Sequence, residues 1–293
     1  MEKKKDFNVL AIVGFILSLT VVFSIVGIIL CIVAIVQISG KKQRGMGLAI
    51  AGLIVGVILP IILIGLMVLG LFVFFESSAV VGSGNVVSEN YDLSGFESVT
   101  VQDGVNLIVT QGDVYSVEIM ADDNVLELLE VEVTERGSLE VGLEDFVWLS
   151  DAEPIMLHVT MPEVTTLSVE GSGGIESVGL IESERLILRI FGSGDISVQA
   201  RADELSSRIL GSGDISVSGI ADEYDVTIEG SGSVDAFSLI AKDVSASIFG
   251  SGDMELYATE TLDVTIDGSG DVRYKGSAVV SQDIGGSGSV VAV

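Results

Sequence analysis

The chain has 293 residues, 48% of them hydrophobic, yet Asp and Glu outnumber Lys and Arg by 42 to 14. That length suggests roughly two folding units, and an apolar average beside so large a net charge points to two segments of different character. One Cys and one His exclude an internal disulfide, a cysteine-based zinc site and a His-rich metal centre.

The charge divides near residue 76. Residues 1–76 hold six basic residues and three acids (Glu2, Asp6, Glu76), which leaves eight basic and 39 acidic residues, a net of −31, for residues 77–293. Phosphate recognition needs Lys and Arg on the contact face, so the larger part is not expected to bind nucleic acid.

No charged residue occurs from Asn8 to Ile38 or from Gly45 to Phe75. Each run exceeds the ~20 apolar residues that cross a bilayer core, and each is too long for a secretory leader. The expectation is a two-helix transmembrane module over residues 1–75, an α-helical hairpin with helices at about 8–38 and 46–75. The loop Gly40-Lys41-Lys42-Gln43-Arg44 joins them. Ala49, Gly52 and Gly56 stand at spacings that let helix backbones approach closely in lipid, although glycine is also simply common in such helices. Pro60 should kink the second helix, and Cys31 reads as a small buried apolar residue. Lys3, Lys4 and Lys5 balance Lys41, Lys42 and Arg44, so the positive-inside rule alone leaves orientation undecided. Residues 76–90 read as an extended stalk.

From residue 171 onward Gly-Ser-Gly recurs, beginning at Gly171, Gly192, Gly211, Gly230, Gly250, Gly268 and Gly286. Two residues before each stand Val169, Ile190, Ile209, Ile228, Ile248, Ile266 and Ile284; four after stand Ile175, Ile196, Ile215, Val234, Met254, Val272 and Val290. Alternation of apolar and polar positions is the period of a strand with one buried face. Both glycines of the triplet share the inward parity, so the triplet reads as a narrow edge of a coil rather than a flexible tether. A unit of 18–21 residues is too short to bury its own apolar face, so neighbouring units must stack and share a core. The fold predicted for residues 91–293 is therefore all-β, a parallel β-solenoid. Residues 91–165 lack the triplet but keep strand-like alternation, and are expected to form its first coils or cap; Asp122–Leu129 could instead be a short helix.

Candidate chemistry is sparse. His158 alternates with Leu157 and Val159 and reads as a strand residue, not as a catalytic base. Arg189 and Arg208 share a ladder position, but Thr227, Ser247 and Thr265 follow them, so no basic cleft is expected. Asp195, Asp214, Asp253 and Asp271 directly follow their triplets, with Ser233 and Ser289 in equivalent slots. Asp after Gly is an ordinary turn residue; calcium binding by this ladder is the competing reading, although calcium β-rolls repeat their motif more densely. The wider acidity suits a surface in high salt, or a cationic partner.

Three features carry a family resemblance: Tyr91-Asp92-Leu93-Ser94-Gly95-Phe96, the segment Val105 to Gly112, and the serial Gly-Ser-Gly-Asp motifs. Together they resemble the head GIN domain, a family of adhesin-like auto-transporter heads. Residues 8–75, with Lys41 to Gly52, resemble a small two-helix prokaryotic membrane domain of unknown function. The resemblance implies a right-handed parallel β-helix displayed outside the cytoplasmic membrane, and so breaks the orientation tie with both termini outside. The expected function is a surface adhesion or interaction module, not an enzyme, with no catalytic, cofactor-binding or metal-ligating residue assigned. Its expected partners are the lipid bilayer and a surface protein or glycan. An envelope protein that contacts another membrane protein, or a cation-dependent carbohydrate binder, are the alternatives.

Overall fold

The computed structural model describes residues 24–41, 45–145 and 147–293, together with Val9, Ile12, Val13 and Ile16. The chain divides into two compact units, Met1–Ala79 and Val80–Val293.

In the first unit, helix α1 spans Ser24–Lys41 and α2 spans Met46–Ser78. Gly27, Cys31, Ala34 and Ile38 form the buried stripe of α1, and Ala49, Gly52 and Gly56 that of α2. Their spacing of three and four residues keeps each set on one helix face. Ala34, Ile38 and Ala49 gather into one apolar cluster with Ile35 and Met46, so the small residues do line the contact between helices. Large apolar side chains such as Ile54, Ile61 and Leu66 face outward, as they do where lipid is the solvent. Residues Met46–Leu66 of α2 are long and apolar enough to cross a membrane, whereas the apolar stretch described in α1, Val26–Ser39, is shorter. Most of residues 8–23, the first part of the other expected span, lies outside the described residues.

The second unit opens with β1 (Val80–Val81) and β2 (Val86–Tyr91). The expected stalk is corrected here. Val80 and Val81 pair with Leu149 and Ser150, and Val86 to Tyr91 run antiparallel to Asp122 to Val117. The loop between the two strands is held by side chains: Ser83 Oγ and Asn85 Nδ2 donate to the two carboxylate oxygens of Asp123, at 2.5 and 3.0 Å. Those bonds hold the Asp123 carboxyl below its ordinary value. Gly82 lies so close to the buried Asp122 that a Cβ there would fall 2.0 Å from its Oδ2. The polar run has no alternation that marks a strand, because its strand character comes from a partner distant in the chain.

The irregular cap follows: β3 (Ser98–Asp103), β4 (Asn106–Gln111), β5 (Ser116–Asp122), the short helix α3 (Asp123–Leu126), β6 (Leu129–Val133), β7 (Ser138–Leu143), β8 (Leu149–Ser150) and β9 (Met156–Met161). Strands β5 and β6 run antiparallel to β9 and β7, and β3 and β4 join the parallel stack through β10 and β11. The stack itself runs β10 (Thr166–Gly171), β11 (Gly174–Gly192), β12 (Asp195–Gly211), β13 (Asp214–Gly230), β14 (Ser233–Gly250), β15 (Asp253–Gly268), β16 (Asp271–Lys275), β17 (Val279–Gly286) and β18 (Ser289–Ala292). Every pairing from β10 to β18 is parallel.

The register is the one the repeat dictates. Ile190, Ile209, Ile228, Ile248, Ile266 and Ile284 stand in one ladder across successive coils. From Ile190 to Ile266 its members are at most 1% exposed. Burying an Ile side chain contributes about 1.5–3 kcal/mol, and the ladder repeats that gain coil after coil. The triplets make the corner. Gly211 has φ 138°, and a Cβ there would meet Gly192 O at 2.1 Å; one on Gly213 would meet Gly194 O at the same distance. With no side chain in the way, Ser212 N–H donates to Gly192 O at 2.8 Å, and Ser193, Ser231, Ser251 and Ser269 make the equivalent bond. The inter-coil hydrogen bonds thus continue around the corner.

Candidate functional site

The outward face that follows each corner carries the Asp ladder. Asp195, Asp214, Ser233, Asp253, Asp271 and Ser289 are brought into register as neighbours, except across β15 and β16, where the pairing begins one residue later. Each Asp accepts from the coil that follows it. Asp214 Oδ1 takes the Ser233 amide at 3.0 Å and the Ser233 hydroxyl at 2.6 Å; Asp271 Oδ1 takes the Ser289 amide at 2.8 Å and its hydroxyl at 2.7 Å. Asp253 accepts the Asp271 amide at 2.9 Å, and Asp195 the Asp214 amide at 3.3 Å. The carboxylates therefore link neighbouring coils through backbone amides. Among the described residues no group of three or more His, Cys, Asp or Glu is placed to hold a metal ion.

A groove of about 500 Å³ runs across successive strands of this face, lined by Met156, Ile108, Glu176, Asp195, Asp214 and Asp235 among others. Its lining mixes carboxylates and hydroxyls, such as Asp214 and Ser233, with the apolar Ile108 and Met156, a combination suited to hydrogen-bonding a hydroxylated or cationic ligand.

A second recess, of about 670 Å³, lies against the cap. Asp103, Glu144, Asp145, Trp148, Asp151 and Glu153 line it. Asp103 and Asp151 adopt left-handed conformations, φ 59° and 52°, which L-residues other than Gly, Asn and Asp rarely do. Asp103 is tied in place, its Oδ2 accepting from Leu143 N–H at 3.0 Å and its carbonyl from Ser172 Oγ at 2.9 Å. Trp148 is 54% exposed. An indole beside carboxylates can stack on a sugar ring or attract a cation. Sequence reasoning missed this recess, although a signal existed: the only Trp of the chain lies within four residues of Glu144, Asp145, Asp151 and, one further, Glu153.

The other residues singled out in the sequence lie apart from these recesses. His158 is half-buried on β9, opposite Ile108 and Glu118. Arg189 and Arg208 are in-register neighbours on the sheet face before the corner, and Arg208 pairs with Glu229.

An in-register parallel solenoid with a mixed cap, polar recesses and a Gly-Ser-Gly corner defines a class of repeat-built β-solenoid domain. Within that class, residues 95–278 match the family described as "Putative auto-transporter adhesin, head GIN domain", and the chain belongs to that family. Residues 9–75 match a separate domain of unknown function. The second unit is similar to a structure described as a putative adhesin from Bacteroides fragilis. The two are 24% identical with a TM-score of 0.69, over 73% of this chain and 100% of that one. It is also similar to a structure described as a putative lipid binding protein from Parabacteroides distasonis, at 25% identity and a TM-score of 0.64, over 73% of this chain and 99% of that one. No curated protein matches the chain.

Proposed function

We propose that this protein is a membrane-anchored, non-catalytic surface module, whose helices hold it in the bilayer and whose acidic solenoid works outside the cell in adhesion. Membership of an adhesin-like head family, directly after an apolar helix long enough to span a membrane, carries this reading. The arrangement of His158, half-buried on a strand with Ile108 and Glu118 as its neighbours, supports a scaffold role for it. The test is topological. In a Cys31→Ala background, a cysteine introduced at the exposed Ser88 should react with an impermeant thiol reagent on intact cells. Reaction only after lysis would place the head in the cytoplasm and end the adhesive reading.

A further inference from the structure

The sheet face before each corner shows its outward residues at four ladder positions, and their charge changes sign along the stack. On β11 and β12 these are Arg185, Ile187, Arg189, Phe191, Glu204, Ser206, Arg208 and Leu210, three bases against one acid. On β13 to β15 the same positions hold Glu223, Asp225, Glu229, Asp243, Asp263 and Asp267, with no base. From β11 to β15 two large apolar side chains are exposed on this face, Phe191 at 41% and Phe249 at 48%. Both occupy the last position before the corner. Arg189 makes no ion pair among the described residues, in a unit where acids outnumber bases nearly fivefold.

From this gradient we propose that the face is a self-association surface, and that its partner is a second copy of the same chain turned end for end. A two-fold axis along the strands, between β12 and β13, sets β11 opposite β14 and β12 opposite β13. Equivalent ladder positions then meet. Phe191 lies on Phe249 of the second copy, Arg185 on Asp243, and Arg208 between Asp225 and Glu229. Arg185 and Arg208 already pair with Glu204 and Glu229 of their own chain, so each arginine bridges an acid of its own chain and acids of the second copy, and Glu204 meets Glu223. Symmetry makes each of these contacts twice. With strands about 4.8 Å apart and residues about 3.3 Å along them, the four paired strands offer about 400 Å² per copy. That is below a standard interface, so the dimer is weak, with Kd between about 10 μM and 1 mM. The inference does not rest on the adhesive reading, because it concerns the solenoid in isolation.

Residues 80–293 carry their own core, so the test uses that soluble unit, by sedimentation at ~0.15 M salt, where charges are screened beyond ~8 Å. The parent should dimerise reversibly as its concentration rises. Arg185→Asp and Asp243→Arg should each weaken dimerisation about tenfold or more, since each sets like charges together at two places. An equimolar mixture of the two variants should recover dimers. In the mixed dimer the two introduced side chains face each other with opposite charge, and at the symmetric contact the unaltered Arg185 meets the unaltered Asp243. Unchanged melting curves for both exposed substitutions confirm that folding is intact. A parent that stays monomeric up to ~1 mM, or a mixture no better than either variant alone, overturns the proposal.

Discussion

Tyr224 occupies an inward position held in neighbouring coils by Leu205 and Val244. It is 2% exposed, and among the described residues its hydroxyl and that of the buried Ser207 find no partner at hydrogen-bonding geometry. Burial pushes the phenol far above its usual range, and the nearby Ser207 hydroxyl only partly offsets this. A buried polar group that makes no bond costs about 1–3 kcal/mol, whereas an apolar group of the same shape does not. Tyr224→Phe should therefore leave stability unchanged or raise it by about 1 kcal/mol, against the usual cost of a core substitution. Chemical denaturation of the soluble head measures this. A loss above about 1 kcal/mol would mean that the hydroxyl is satisfied, by Ser207 or by trapped water.

At the scale of one coil, parity decides which substitutions are tolerated. Ile228 is fully buried between Ile209 and Ile248, while Thr227 faces outward beside Arg208. A carboxylate at 228 must lose its hydration with no partner, at a cost of several kcal/mol or a large pKa shift. Ile228→Asp should therefore destabilise the head strongly, whereas Thr227→Asp, half-buried but outward, should cost little more than about 0.5 kcal/mol beyond its repulsion from Asp225 and Glu229. Similar melting temperatures for the two would refute the register itself. This much was legible in the sequence because each ladder repeats one residue type at one position, so a face assignment is tested coil after coil. Ile190, Ile209 and Ile228 needed only the period of two. The cap gave no such repetition. Ser88, Glu89 and Asn90 form a strand because β5 offers them an antiparallel edge, and no local propensity announces that. The Trp148 recess is hidden for the same reason: Asp103 and Asp151 come together only through the fold.

Over the whole head, a net charge of −31 is set on a rigid frame whose coils stack in register. The ion pairs of the described residues, among them Arg201–Glu182 and Lys242–Asp222, offset little of it, and exposed pairs of this kind are worth at most about 1 kcal/mol. Folding holds the carboxylates near one another, so self-repulsion opposes the compact state and added salt should relieve it. The question is whether any cation is chosen. Calcium prefers 6–8 oxygen ligands, and in the Asp ladder one oxygen of each carboxylate already accepts an amide of the next coil. Those bonds stabilise the ladder without a metal. The expected outcome is that millimolar Ca²⁺ raises the melting temperature of the soluble head no more than Mg²⁺ at equal ionic strength. Asp195→Ser with Asp214→Ser, which puts at both positions the residue found at 233 and 289, should leave that response unchanged. A built site would behave differently, adding about 2.7 kcal/mol at a hundredfold excess of Ca²⁺ over its Kd. A calcium-selective gain that the double substitution abolishes would turn the groove along Asp195 and Asp214 into a cation site, and would favour a cation-dependent glycan binder over a purely structural ladder.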